Sequence, residues 1–324
     1  MINVAVLVME KALPDSIFFA EHIFSAVNDF SESKGQPPCF NIQFVGLTEQ
    51  VKLFEGLVTI YPELLITYKK VADLIIIPAL SPTIGENINI ALENNYEFNK
   101  WIVDQYNNGA KVASLCIGAF ILASTGLLKG KYCSTHWLYA NEFRKMFPDV
   151  QLVADKIITD QNGLYSSGGA NLSWNLLLYL VEKYTNREMA ILASKFFLLD
   201  FGRDNQTSFV IFEGQKDHAD EDIIDVQEYI ETHFNTKLSI DGLANKFGIG
   251  RRTFERRFKK ATSNTVNDYI QRVKMEVAKK QIETSRKNIQ EVMLDVGYND
   301  INAFRDVFKK VVGISPVDYR KRYV

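Results

Sequence analysis

The chain has 324 residues, a formal net charge of −2, 47% hydrophobic and 23% charged residues, which describes a globular protein with room for two cores and excludes a disordered or fibrous one. Its three cysteines, Cys39, Cys116 and Cys133, are too few and too irregularly spaced for a disulfide framework or a zinc site, so no metal or cofactor is expected and a reducing cytoplasm fits. A charge so near zero argues by itself against a nucleic-acid binder, yet it is unevenly spread: residues 220–324 carry 20 Lys and Arg against 16 Asp and Glu, and from residue 250 the balance is 18 against 9.

The opening INVAVLVME is a short apolar run with no basic leader or cleavage site, and no apolar run in the chain is long enough to span a membrane. A buried strand over residues 4–9 and no membrane partner are therefore expected. A helix over 16–28, the loop KGQPP and a strand over 41–46 follow. LIIIP at 74–78 is continuously apolar, as expected of a parallel strand covered on both faces. A helix over 99–107 then leads through Asn108 and Gly109 to a strand over 111–115. This alternation predicts an α/β three-layer sandwich with a mostly parallel sheet, whose ligands sit at the carboxyl ends of the strands.

At the end of that last strand, Ser114-x-Cys116-x-Gly118 has the small–x–nucleophile–x–small form of a nucleophile elbow. A thiol at a helix N-terminus tends to ionise, which makes Cys116 a candidate pocket floor; the alternative is a small buried residue chosen for packing. Twenty residues on, His136 in STHW is a candidate base for Cys116 or a wall of the same pocket. Cys39 and Cys133 carry no motif and are read as filling space. Residues 164–181 read as strand, glycine turn and buried helix, with Gly168 and Gly169 allowing close backbone approach to the pocket.

A helix over 187–199 is predicted next, with Met189, Leu192, Ala193 and Phe196 on one side. The polar, aperiodic run at 214–222 reads as a linker between a first domain at 1–213 and a second at 223–324. The second domain contains a repeat. Ile240, Leu243, Ala244, Phe247 and Gly248 recur 49 residues later as Ile289, Val292, Met293, Val296 and Gly297. Phe254, Phe258, Tyr269 and Arg272 recur 50 later as Phe304, Phe308, Tyr319 and Arg322. Repeated core positions with a variable surface indicate two copies of a helix-turn-helix unit in an all-α domain. Between the copies, Val266, Tyr269, Ile270, Val273, Val277 and Ile282 mark one long amphipathic helix. The second helix of the first copy leaves Arg251, Arg252, Glu255, Arg256 and Lys259 on the face opposite its apolar stripe, a rod of hydrogen-bonding groups suited to a DNA major groove.

Residues from about Ile223 to Val324 resemble the DNA-binding domain of AraC/XylS-type transcription regulators, on the segment LANKFGIGRRTFERRFKK, on DVGYNDINAFRDVFKKVVGISPVDYRKR and on their separation. From Met1 to about Lys183 the chain resembles the class I glutamine amidotransferase-like domain of the ThiJ/PfpI group, in the variant joined to AraC-type domains in GlxA-like regulators. That resemblance rests on SLCIGAFILASTGLLKGKYCSTHW, on the strand and helix before it, on the glycine turn and on DFGRDNQTSF at 200–209, and it implies a flavodoxin-like sandwich.

Together the resemblances imply a sequence-specific transcription regulator that binds double-stranded promoter DNA, with Asn299, Asp300, Asn302, Arg305 and Lys309 as the second set of contact residues. Arg is expected on guanine and Asn on adenine, with Glu255 and Asp300 accepting from cytosine or orienting an Arg. For each of these the alternative is a phosphate contact or an internal salt bridge. An unknown small-molecule effector is expected near Cys116, Ile117, His136, Ala79, Leu80, Gly168 and Gly169. A homodimer and contact with RNA polymerase complete the expected partners.

Three departures weaken catalysis more than ligand binding. Pro78-Ala79-Leu80-Ser81 stands where relatives carry a glycine-rich turn, Asn175 stands where they often have Asp, and no acid is in evidence to orient His136. The rival readings are a Cys-dependent amidase, protease or glyoxalase-like enzyme tethered to DNA, and a thiol-based redox sensor.

Overall fold

The computed structural model describes residues 1–67, 72–81, 88–169, 172–199, 207, 210–216 and 218–324, and the chain divides into two units, Met1–Gln206 and Thr207–Val324. The DFGRDNQTSF segment lies outside the described residues except for Thr207. Among the described residues no helix is long and apolar enough to cross a membrane, and no cluster of His, Cys, Asp and Glu is arranged to hold a metal ion.

In the first unit, strands β1 (Ile2–Val8), β2 (Phe40–Gly46), β3 (Leu64–Leu65), β4 (Leu74–Ile77), β5 (Lys111–Ser114), β6 (Ile158–Gln161) and β7 (Leu164–Ser167) form one sheet. Its order is β6-β7-β5-β4-β1-β2-β3, parallel except for the antiparallel β6–β7 edge. Helix α1 (Pro14–Ser33) packs on β1 and β2 with α6 (Ser173–Tyr184) and α7 (Arg187–Phe196) beside it. On the other side, α3 (Glu97–Asn107) and α4 (Ala119–Ser124) lie against β4 and β5, with α2 (Ile88–Asn94) against α4. The chain leaves β1 and β4 in opposite directions along the sheet, so right-handed crossovers place the two helix sets on opposite faces. The expected three-layer sandwich is present.

Coverage from both faces explains the all-apolar strand: Leu74, Ile75, Ile76 and Ile77 are fully buried, each contributing roughly 1.5–3 kcal/mol of apolar burial. The sequence did not announce the hairpin Val51–Leu53 with Val58–Ile60, helix α5 (Ala140–Met146) or the antiparallel edge strand β6. The helix read over 187–199 stops at Phe196.

The second unit is helical: α8 (Glu221–Thr232), α9 (Ile240–Lys246), α10 (Arg251–Thr262), α11 (Val266–Thr284), α12 (Ile289–Asp295), α13 (Ile301–Val312) and α14 (Pro316–Tyr323). It contains two cores, and α11 contributes to both. Val266, Tyr269, Ile270 and Val273 join the core of α8, α9 and α10, while Met275, Ala278 and Ile282 join that of α12, α13 and α14. The stretch read as a linker belongs to this unit: Gln215 bonds to Gln227 and Asn264, and Asp220 pairs with Arg257.

Candidate nucleic-acid interface and the cavity beside Cys116

The two helix-turn-helix copies are built by the same local chemistry. Ser239 caps α9 by accepting from the Gly242 N–H at 3.0 Å, and Asn288 with Glu291 forms a reciprocal capping box on α12. Each first helix ends in a left-handed glycine, Gly248 at φ +65 and Gly297 at φ +77. Gly297 has a second constraint, because a Cβ there would collide with the Asn235 carbonyl oxygen.

Each second helix then packs its two rings against each other and sets the second against a tyrosine of the helix that follows. Phe258 meets Tyr269 edge-on at 5.3 Å, and Phe308 meets Tyr319 at 5.6 Å. The two tyrosine hydroxyls donate to equivalent acids, Tyr269 to Glu231 on α8 and Tyr319 to Glu283 on α11. α11 is thus the last helix of one copy and the first of the next.

Burying Phe254 and Phe258 turns Arg252, Arg256 and Lys259 of α10 to solvent, and burying Phe304 and Phe308 does the same for Asn302, Arg305 and Lys309 of α13. The faces are equivalent in the fold and different in chemistry: at a spacing of 50, Arg252 matches Asn302, Glu255 matches Arg305 and Lys259 matches Lys309. Three predicted contact residues are engaged within the protein. Arg251 forks onto Asp241 at 3.1 Å to each oxygen and lies 3.7 Å from Glu255, an exposed network of little energetic weight. Asp300, expected to face cytosine or an Arg, accepts instead from the Ala303 N–H at 2.7 Å as the N-cap of α13. Asn299 is exposed beside it. Arg257 turns toward α8, binding Asp220 and Asp222 at its start and holding the Asp220 carboxyl below its usual range.

In the first unit, Cys116 sits between β5 and α4 with φ +54, in the left-handed region that costs an L-residue roughly 1–2 kcal/mol. Its backbone is held from both sides: its N–H donates to Ser167 Oγ at 3.2 Å, and its carbonyl accepts from Thr135 Oγ1 at 3.1 Å. Gly118 is required because a Cβ would collide with the Pro78 carbonyl.

The buried thiol faces a cavity of about 110 Å³ lined by Leu13, Asp15, Ser16, Phe19, Ala79, Leu115, Cys116, Ser173, Trp174 and Leu177. Of the pocket candidates, Cys116 and Ala79 line it; Leu80, Ile117, His136, Gly168 and Gly169 are not among its lining residues. The walls from α1 and α6, with Phe19 and Trp174 rings 3.9 Å apart, were not legible in the sequence, since they come from segments far from the elbow.

His136 is bound to a different task. Its Nδ1 accepts from the Leu138 N–H at 3.1 Å, which places the ring proton on Nε2, and burial lowers its pKa, so the ring is neutral. Gly169 lets that ring approach, since a Cβ there would collide with it. Two amides of the 78–81 turn are also engaged, Ala79 N–H by Ser16 Oγ at 3.0 Å and Ser81 N–H by the Lys11 carbonyl at 2.7 Å. Of the other two cysteines, Cys133 is buried with its thiol pushed up to about 12 by desolvation, and the Cys39 thiol lies 3.8 Å from Ser31 Oγ.

Residues 34–183 match the profile of the DJ-1/PfpI family and residues 243–322 that of a helix-turn-helix domain. Over 100 residues the chain is 31% identical to the regulatory protein SoxS of Escherichia coli, covering 94% of it and 31% of this chain. The HTH-type transcriptional regulator GbdR of Pseudomonas aeruginosa is 25% identical over 67% of this chain; the match spans 59% of that relative's own length. In fold, the chain is similar to the crystal structure of an AraC family transcriptional regulator from Pseudomonas putida (TM-score 0.51, 18% identity, 61% of this chain and 100% of that one). It is also similar to a ThiJ/PfpI family protein from Pseudomonas syringae (TM-score 0.50, 17% identity, 62% and 76%).

Proposed function

Because this chain belongs to the AraC family of helix-turn-helix transcription regulators and carries a DJ-1/PfpI domain, we propose that it is a sequence-specific, DNA-binding regulator controlled by a small effector and not an enzyme. The observation that carries the reading is the duplicated core around α11, which turns one polar face of α10 and one of α13 outward. In this reading α10 reads bases with Arg252 and Arg256, α13 with Asn302 and Arg305, and Lys259 and Lys309 bind phosphate. The effector occupies the cavity beside Cys116, small enough to admit only a compact group, with Asp15 and the two serines as its polar anchors. Pairing of protomers, contact with RNA polymerase and a cytoplasmic location belong to the same reading.

The engaged His136 and the occupied Ala79 and Ser81 amides support effector binding over thiol catalysis, since a nucleophile needs a base and free oxyanion donors. Fluorescence anisotropy of the full-length protein on its own upstream DNA against a scrambled duplex tests the proposal. A preference that persists as salt rises, and that Arg252→Ala or Arg305→Ala reduces, is the expected result. Equal and steeply salt-dependent binding to both duplexes would mean phosphate attraction alone and overturn it.

A further inference from the structure

The run at 214–222 has the composition of a tether, yet the segment before α8 is laced into the helical unit. Lys279 of α11 is 5% exposed. Its ammonium donates to the Val210 carbonyl at 2.5 Å and to Glu276 Oε2 at 2.9 Å. Glu276 Oε2 in turn accepts the Phe212 N–H at 3.1 Å. Val210, Lys279, Glu276 and Phe212 therefore close a polar ring that fastens the strap to one turn of α11.

Phe212 then sets its ring edge-on to Tyr269 at 5.1 Å, with the Arg272 guanidinium 5.8 Å above it. Gly214 follows at φ +72, where a Cβ would collide with Tyr269 Oη, so a side chain would push the strap off. Beyond it the Gln215 carbonyl accepts from the fully buried Gln227 at 3.0 Å, and Gln215 Oε1 accepts from Asn264 at 2.9 Å.

A flexible tether has no use for a buried ammonium, which is tolerated only when paired and hydrogen-bonded. The contacts also run along the one helix that both cores share, from Tyr269 in the first core to Lys279, which lies between Ala278 and Ile282 of the second. We infer that the strap at 210–216 is a positioning element for DNA reading. By fastening α11 it fixes the orientation of α10 relative to α13, and its displacement relaxes that orientation. The strap is also where the chain enters the helical unit. The inference rests on the DNA-binding reading above.

The test uses full-length protein, a duplex enriched from random-sequence DNA by that protein, and the same duplex with about five base pairs, half a helical turn, inserted between its two contacted segments. With its reading helices in fixed register, the wild type should lose about 100-fold in affinity on insertion. Gly214→Ala leaves every helix residue unchanged, and Lys279→Met keeps the buried stem while removing the ring. Both, with helical content checked by circular dichroism, should bind the parent duplex about tenfold more weakly and lose less than about threefold further on insertion.

Wild-type affinity and insertion penalty in both variants would overturn the inference. So would weaker binding with an unchanged insertion penalty, the signature of a strap that only stabilises. If the wild type enriches no sequence at all, the DNA-binding reading fails and takes this inference with it; if it enriches one and the variants match it, only the strap falls.

Discussion

Neutralising the outward face of α13 should change the salt dependence of DNA binding by an amount the structure sets. Arg252, Arg256, Lys259 and Lys260 are exposed on α10, and Arg305, Lys309 and Lys310 on α13. If each cation, whether on a phosphate or a base edge, displaces one condensed counterion, a plot of log affinity against log salt has a slope of about −6, and binding falls roughly 10³–10⁴-fold between about 50 and 200 mM salt. The triple variant Arg305→Ala, Lys309→Ala, Lys310→Ala keeps only the α10 set, and its slope should shrink to about −3.5. Arg305→Ala alone should shift the slope by about 1 and, if it reads a base, cost roughly 1–3 kcal/mol on the matched sequence and less on a scrambled one. Anisotropy titrations at four salt concentrations measure both quantities. An unchanged slope in the triple variant would mean that α13 does not face the duplex, and the argument from the repeat would fail with it.

Three further outcomes follow from the packing. Gly297→Ala meets both a left-handed backbone and the Asn235 carbonyl, so urea denaturation should show a loss of roughly 2–4 kcal/mol; Gly248→Ala, with open space around it, should lose only about 1–2 kcal/mol. Tyr319→Phe removes the hydroxyl that donates to Glu283 and should cost about 1–2 kcal/mol in a thermal melt, because the acceptor is charged. Burial lowers the His136 pKa, so the unfolded chain takes up that proton first. Stability should therefore fall as pH drops through the ordinary histidine value of about 6.5 and level off below the depressed folded pKa. Comparing wild type with His136→Gln isolates this slope, and its absence from the difference would refute the burial argument.

What the sequence made legible follows from how each feature is encoded. Leu74–Ile77 could be read as a strand because a segment covered on both faces must be apolar at every position. Strand β6 could not, since an edge strand carrying Asp160 and Gln161 resembles a loop. The helix-turn-helix repeat was visible because Phe254, Phe258 and Tyr269 recur in one register as Phe304, Phe308 and Tyr319. Their acceptors, Glu231 and Glu283, stood outside that register, 52 residues apart, and looked like surface acids. The strap was hidden more deeply. Val210 and Phe212, which fell within the expected first domain at 1–213, bond to Lys279 and Glu276 through backbone groups, which leave no residue signature. In the α/β unit the elbow was legible as a local motif, whereas the walls contributed by Asp15, Phe19 and Trp174 meet Cys116 only through the fold.

The elbow raises the question of what a strained cysteine on a cavity wall is kept for. At φ +54 the backbone of Cys116 costs stability, and Ser167, Thr135 and the tight passage of Gly118 over Pro78 hold it there. That geometry does two separable things: it puts a side chain on a cavity floor, and in an enzyme it would also align the thiol with a base and with free amides. On the effector-binding reading only the first is used, since His136 Nδ1 is engaged by Leu138 and the Ala79 amide by Ser16. Shape and chemistry can therefore be tested apart in a thermal-shift screen of small metabolites against the full chain. Cys116→Ser, nearly the same size, should keep the shift given by any ligand that stabilises the wild type. Ser173→Leu, which fills the cavity from α6, should abolish it, as it removes about the volume of three methylene groups from a space that holds only a small group. The reverse pattern, loss with Cys116→Ser and retention with Ser173→Leu, would mean that the sulfur atom and not the cavity is what the strained elbow preserves.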